Sequence, residues 1–143
     1  MAGDTVTRTG IYSKFTTKVS GDYVDFYTDM GGRLYYQQAL DNATYPYCVY
    51  QFIGNKPKWS MSTVTPHTVE EFMVQFDIYD DKVNGLSAIE GYSGHLQDLY
   101  DWGDITVSGY TLMKMERMSS IPATEFDDVR HAMTTYRIKI DKD

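Results

Sequence analysis

Between Thr68 and Tyr79 the chain alternates. Phe72, Val74, Phe76 and Ile78 share one parity, and Glu71, Gln75 and Asp77 share the other. Period two sustained over eight residues marks a strand with one buried face. The window opens with Thr68-Val69-Glu70-Glu71, a capping-box spelling that would start a helix. The longer alternation outweighs the four-residue motif, and the segment reads as strand.

Upstream the period changes. Tyr12, Phe15, Val19, Tyr23, Phe26, Tyr27 and Met30 recur at gaps of three and four, a helical stripe. Gly21 predicts a break in it, and Gly31-Gly32 a left-handed stop. The polar residues 1–9 are expected to fray. A short strand, Arg33–Gln38, leads to turn chemistry at Asp41-Asn42-Ala43. Pro46 favours extended geometry before it, and Tyr47–Ile53 reads as a strand. Gly54-Asn55-Lys56-Pro57 is the expected next turn, with Lys58–Thr63 extending a hairpin and Trp59 on one of its faces.

Downstream, Asp80-Asp81 and Asn84-Gly85 introduce a second helix. Leu86, Ile89, Tyr92, Leu96 and Leu99 form its apolar face, and it ends near Trp102-Gly103. Gly91 and Gly94 either weaken that helix or admit a close neighbour. Ile105–Met115 and Val129–Ile140 are expected strands, the second with Ala132, Thr134, Tyr136, Ile138 and Ile140 on one side. Residues 116–128, which contain Pro122, read as a long polar connection. The order predicts one α+β domain over 1–143, with a flexible N-terminus at 1–10. Its sheet is antiparallel or mixed, with helices packed on one face.

Charge narrows the function classes. Thirteen Lys plus Arg against 20 Asp plus Glu give a net charge of −7. Such a chain lacks the basic face that duplex DNA or an anionic membrane requires. Cys48 is the single cysteine, set in the apolar run Tyr47-Cys48-Val49-Tyr50, and reads as a small buried hydrophobe. The start, MAGDTVTRTG, has no basic-then-apolar leader, and no run has the length of a membrane span. The expectation is folding in a reducing cytoplasm.

Catalytic spacing is absent from the pattern. His67, His95 and His131 have no metal-site partners at local spacing and read as solvated or edge residues. Asp77, Asp80, Asp81 and Gly85 imitate a calcium loop without its alternating ligands or terminal Glu, so a strand end running into a helix start explains them better. Glu125, Asp127 and Asp128 read as a solvated acidic loop. Ser93-Gly94-His95 lies inside a helical pattern rather than on a strand-to-helix elbow. No catalytic, cofactor or metal residue is assigned. Tyrosine is abundant, 13 residues, and serves either an aromatic core or subunit interfaces.

The order of several words carries a resemblance. FYTDMGGRLYYQQALDNATYPYCVYQFIG is followed by the Lys-Pro-Lys-Trp turn and MVQFDIYDD, by LQDLYDW, by ITVSGYTLMKMERM and by TTYRIKID. Over residues 11–140 this series resembles the tail-completion proteins of long-tailed phages and prophages, also called tail terminator, head–tail joining or neck proteins. The resemblance implies a non-enzymatic ring of this chain, a hexamer, at the head–tail junction of the virion. Such a ring ends tail-tube growth, meets the major tail-tube protein and the head connector protein, and lets DNA pass its lumen without specific binding. It implies no cofactor and no membrane. The connection at 116–128 departs from the family pattern by being longer than a tight hairpin needs. Its apolar residues Met118, Ile121 and Phe126, with Trp59, are the expected assembly contacts, the first three on an arm that orders on a neighbour. The competing reading is a small-ligand or peptide-binding α+β module with aromatics lining a pocket.

Overall fold

The computed structural model describes residues 2–59, 68–126 and 128–142. Helix α1 spans Ala2–Phe15, strands β1 (Lys18–Val19) and β2 (Asp22–Tyr23) form a small hairpin, and α2 spans Asp25–Met30. Then come β3 (Leu34–Tyr36), β4 (Tyr47–Trp59), β5 (Thr68–Asp81), α3 (Leu86–Tyr100), β6 (Tyr110–Phe126) and β7 (Val129–Lys142). The main sheet has five strands in the order β3-β4-β5-β7-β6, antiparallel except for the β3–β4 pair. This is the expected α+β fold with a mixed sheet and helices on one face.

The alternation in β5 decides which face the helices cover. Phe72, Val74 and Phe76 are fully buried and Ile78 nearly so, in one cluster with Ile11 and Phe15 of α1, Phe26 and Met30 of α2, and Ile89, Leu96 and Tyr100 of α3. The chosen side of β7, from Ala132 to Ile140, supplies the adjoining row. Phe76 stacks on Tyr100 with ring centroids 4.8 Å apart and meets Tyr136 edge-on at 5.8 Å. The buried Tyr100 hydroxyl donates to the Ile11 carbonyl at 2.8 Å, so its polar end is satisfied inside the core.

Four local expectations are corrected. Of the polar stretch, residues 2–9 are the front of α1 rather than a fraying end, and Thr7, Gly10 and Ile11 are buried. Tertiary docking overrides the polar composition. Gly10 lies so close to the strand-like segment after α3 that a β-carbon there would stand 2.4 Å from the Thr106 carbonyl oxygen. The break expected at Gly21 is present, but it is a β-hairpin, which takes Val19 and Tyr23 off the helical stripe. Ser20 (φ 55°) and Gly21 (φ 87°) are the centre of a tight hairpin turn of the type that needs two positive φ angles. Val19 and Tyr23 are therefore exposed rather than on a buried stripe. Gly54–Pro57 is strand, not turn: β4 continues through a bulge between Phe52 and Gly54, with Pro57 opposite Glu70. Among the described residues β3 stops at Tyr36, opposite Tyr50, so Pro57 has no outer neighbour whose ladder its missing N–H would break.

The fourth correction concerns residues 116–128. Glu116–Phe126 is the second half of β6, paired with β7 as far as Phe126 opposite Val129. Strand β6 is offset by bulges between Leu112 and Lys114, Arg117 and Ser119, and Ile121 and Thr124. Each bulge flips the inward parity, which removes the alternation that identifies a strand. Pro122 falls within the last one, on an edge strand, where proline is tolerated. The strand also begins later than expected, at Tyr110, while Ile105 and Val107 are buried without belonging to it.

Candidate assembly surface

The sheet face opposite the helices carries the other parity, and its side chains bond one another across strands. Tyr45 and Tyr47 stack at 5.4 Å, Tyr47 meets Tyr79 at 5.3 Å, and Tyr79 stacks on His131 at 4.6 Å with the rings 5° from parallel. Tyr35 abuts Tyr47 edge-on at 6.0 Å. These rings run across β3, β4, β5 and β7 as one ladder. Burial among neighbouring rings holds the Tyr47 and Tyr79 phenols above their ordinary range, for Tyr79 with the Asp77 charge adding to the effect. They stay neutral donors at any physiological pH.

Asp77, almost fully buried, anchors the middle of this face. Gln75 Nε2 donates to both its oxygens at 3.0 and 3.2 Å, and His131 Nε2 lies 2.7 Å from Oδ1. Beyond it an alternating charge lattice crosses three strands. Lys114 Nζ lies 3.1 Å from Glu116, and Arg137 grips Glu116 through two nitrogens, with Nε at 2.9 Å. Arg137 and Lys139 reach Glu71 at 4.0 and 3.8 Å. The Arg137 and Lys114 bonds hold the Glu116 carboxyl below its ordinary range. This face presents paired charges and stacked rings.

The edge of β6 is different. Met113, Met118 and Ile121 are 55%, 45% and 46% exposed. Between this edge and α3 lies a groove of about 280 Å³ lined by Glu90, Gly94, Gln97, Ser120, Ile121 and Ala123. Gly94 opens it: a β-carbon there would meet nothing within 4 Å. Gln97 Nε2 donates to Ser120 Oγ at 3.2 Å across its floor. Bulges and a proline along β6 discourage strand-on-strand pairing at this edge, so contact there would run through side chains.

Of the four expected contacts, Met118 and Ile121 therefore share this edge. Phe126 ends the same strand and Trp59 ends β4, but both side chains lie outside the described residues, as do His67 and Asp127. The histidines are not simply solvated. His95, on α3, bonds Asp29 of α2, and this bond raises its pKa above the usual 6.5 of an imidazole. The partners are 66 residues apart in the chain, beyond any local spacing rule. Asp81 Oδ1 accepts from the Val83 N–H at 3.0 Å, and Asp80 Oδ1 accepts from Asp81 N–H and Asn84 Nδ2, both at 2.8 Å. These acids close the β5 end. Cys48 is fully buried, and desolvation pushes its thiol well up, away from thiolate chemistry. Among the described residues no group of three or more His, Cys, Asp or Glu stands where it could hold a metal, and no helix is long and apolar enough to cross a membrane.

No protein-family model matches the chain, and no curated protein does. Solved structures do. A chain from the virion of a native gene transfer agent particle superposes with a TM-score of 0.69 over 98% of each chain, at 11% identity. A second solved chain matches with a TM-score of 0.66 over 96% of this chain and 94% of that one, also at 11% identity. At such identity the likeness is one of fold, and it extends end to end on both sides.

Proposed function

We propose that this chain is a non-enzymatic structural protein of a phage-type particle. Within it, the chain forms the ring that ends the tail tube and joins tail to head. The observation that carries the reading is the end-to-end fold likeness to a chain of a gene transfer agent virion. The finer role rests on the ordered sequence words from Phe26 to Asp141 that resemble tail-completion proteins. Physical chemistry supports it in two ways. A net charge of −7 suits a lumen that DNA must pass without sticking. The exposed apolar edge of β6 offers a surface that a neighbouring subunit would cover.

In this reading six copies close a ring through Met118 and Ile121, with Phe126 and Trp59 as further contacts. One side of the ring meets the major tail-tube protein and the other the head connector. Capsid, portal and major tail genes beside this one would support the assignment. The decisive experiment images particles made without the protein. We expect DNA-filled heads and separate tails of irregular length, and joined particles once the protein is supplied. Tails of uniform length already attached to heads would overturn the proposal.

A further inference from the structure

We infer that the groove between the β1–β2 hairpin, α2 and α3 is a docking site for a Lys- or Arg-bearing segment of a partner protein. This inference stands on the groove's chemistry and does not depend on the virion reading.

The groove holds about 390 Å³, within the range of sites that receive a long side chain and its flanks. Its walls are apolar, from Val19, Tyr23, Phe26 and Leu99, and its carboxylates are Asp22, Asp25 and Asp98. The lining contains no Lys or Arg. Its single basic group is His95, which is bonded to a fourth carboxylate, Asp29, and lies 4.0 Å from Asp25. The site therefore stays net negative even with the imidazole protonated. Asp25 is 84% exposed as a side chain, so its carboxylate is accessible to an incoming donor.

Apolar walls beneath a carboxylate rim match an aliphatic stem that ends in a cation. A neutral apolar ligand would strand the carboxylates, and an anion would be repelled. The chain's own Lys18, outside the lining, holds its ammonium 4.6 Å from the centroid of the Tyr23 ring, so an incoming cation is left the carboxylates. The other side of the ring is stacked on Tyr27 at 3.8 Å, which fixes its orientation. Val19, 65% exposed, extends the apolar surface past the groove itself. A lone side chain or small amine leaves that rim uncovered, whereas a polypeptide segment covers it.

The test uses the full chain, ¹⁵N-labelled, titrated with the capped peptide Leu-Arg-Leu-Arg and with its Leu-Gln-Leu-Gln counterpart. We expect the arginine peptide to shift amide signals around Tyr23, His95 and Leu99, and the glutamine peptide to leave them in place. Asp25→Asn combined with Asp98→Asn should weaken binding about fivefold to tenfold, as the loss of two exposed charge pairs implies. Both residues are exposed, so the variant retains its fold. Raised salt should weaken binding in the wild type and much less in the variant. The inference is overturned if the glutamine peptide binds equally, if the double variant binds as wild type, or if the shifts fall on the helix-free sheet face.

Discussion

Loss of Phe76 should be costly to the core. It is fully buried and lies between three tyrosine rings: Tyr100 at 4.8 Å, Tyr136 at 5.8 Å and Tyr50 at 5.9 Å. Phe76→Ala removes the transfer free energy of a buried ring and leaves a cavity, together about 3–5 kcal/mol. The ring pairs add to this, at about 0.5–1.5 kcal/mol each when measured singly and less when summed. Two of the three partners, Tyr100 and Tyr136, are held by hydroxyl bonds to Ile11 and Asp101, so the cavity cannot collapse freely. The expected cost is therefore in the upper half, about 4–5 kcal/mol.

Urea unfolding followed by tyrosine and tryptophan fluorescence measures it. With a slope of about 2 kcal/mol per molar, the midpoint should fall by about 2 M. Phe76→Leu keeps most of the volume but none of the ring contacts, and should cost about 1–2 kcal/mol. Met73 is 36% exposed and has the opposite parity, so Met73→Ala should cost less than about 1 kcal/mol. The face assignment fails if Phe76→Ala costs under about 1.5 kcal/mol, or if Met73→Ala costs as much as Phe76→Ala.

Four further outcomes follow from other parts of the molecule. His95 has its pKa raised by Asp29, so its pair stabilises the fold fully below about pH 6.5 and loses that contribution as pH rises through the higher folded value; the melting-temperature gap between wild type and His95→Gln should shrink across that window, and a gap that widens with pH would contradict it. Gly10→Ala should destabilise by about 1–3 kcal/mol because of the Thr106 carbonyl. Gly91→Ala, with nothing within 4 Å of the new methyl, should stabilise α3 by about 0.5–1 kcal/mol in the same denaturation assay. Met118→Ser with Ile121→Ser should change monomer stability by no more than about 0.5 kcal/mol each; under the proposed ring reading the pair should also abolish assembly as seen by light scattering and negative-stain imaging.

The fold was legible where one period dominated. In the middle of β5 and in β7 the inward row is mostly apolar, interrupted by Thr134, and every residue from Phe72 to Ile78 and from Ala132 to Ile140 on that row is buried. Helix α3 was legible for the same reason, with Ile89 and Leu96 on its buried face. The pattern failed wherever a strand changed parity. Bulges in β4 and β6 each move one residue across the sheet, so inward positions fall on odd numbers in one stretch and even in the next. Pro57 and Pro122 then look like turn residues because their tolerance depends on having an unpaired outer side, which is a property of the sheet and not of the local sequence. The same holds for α1. Nothing in its polar run announces that Arg8 and Ile11 offer carbonyls to Tyr50 and Tyr100, at 3.4 and 2.8 Å.

The surface was legible in composition but not in arrangement. Abundant tyrosine left core and interface as equal readings, and the molecule buries some of these residues and exposes others. Tyr50, Tyr100 and Tyr136 are buried, while Tyr12, Tyr23 and Tyr45 are exposed, a split that depends on which strand face or helix side each occupies. Histidine shows the limit more sharply. Spacing rules search for partners a few residues away, yet His131 meets Asp77 from 54 residues off and His95 meets Asp29 from 66. Both contacts exist because β5 pairs with β7 and α2 packs against α3. The two sides of the sheet thus differ in charge: Lys114, Arg137 and Lys139 are paired with Glu71 and Glu116 on the bare face, while the groove among the helices is acidic. A net charge of −7 conceals that difference, and only a folded chain has a surface on which one partner meets balanced charge while another meets a net negative groove.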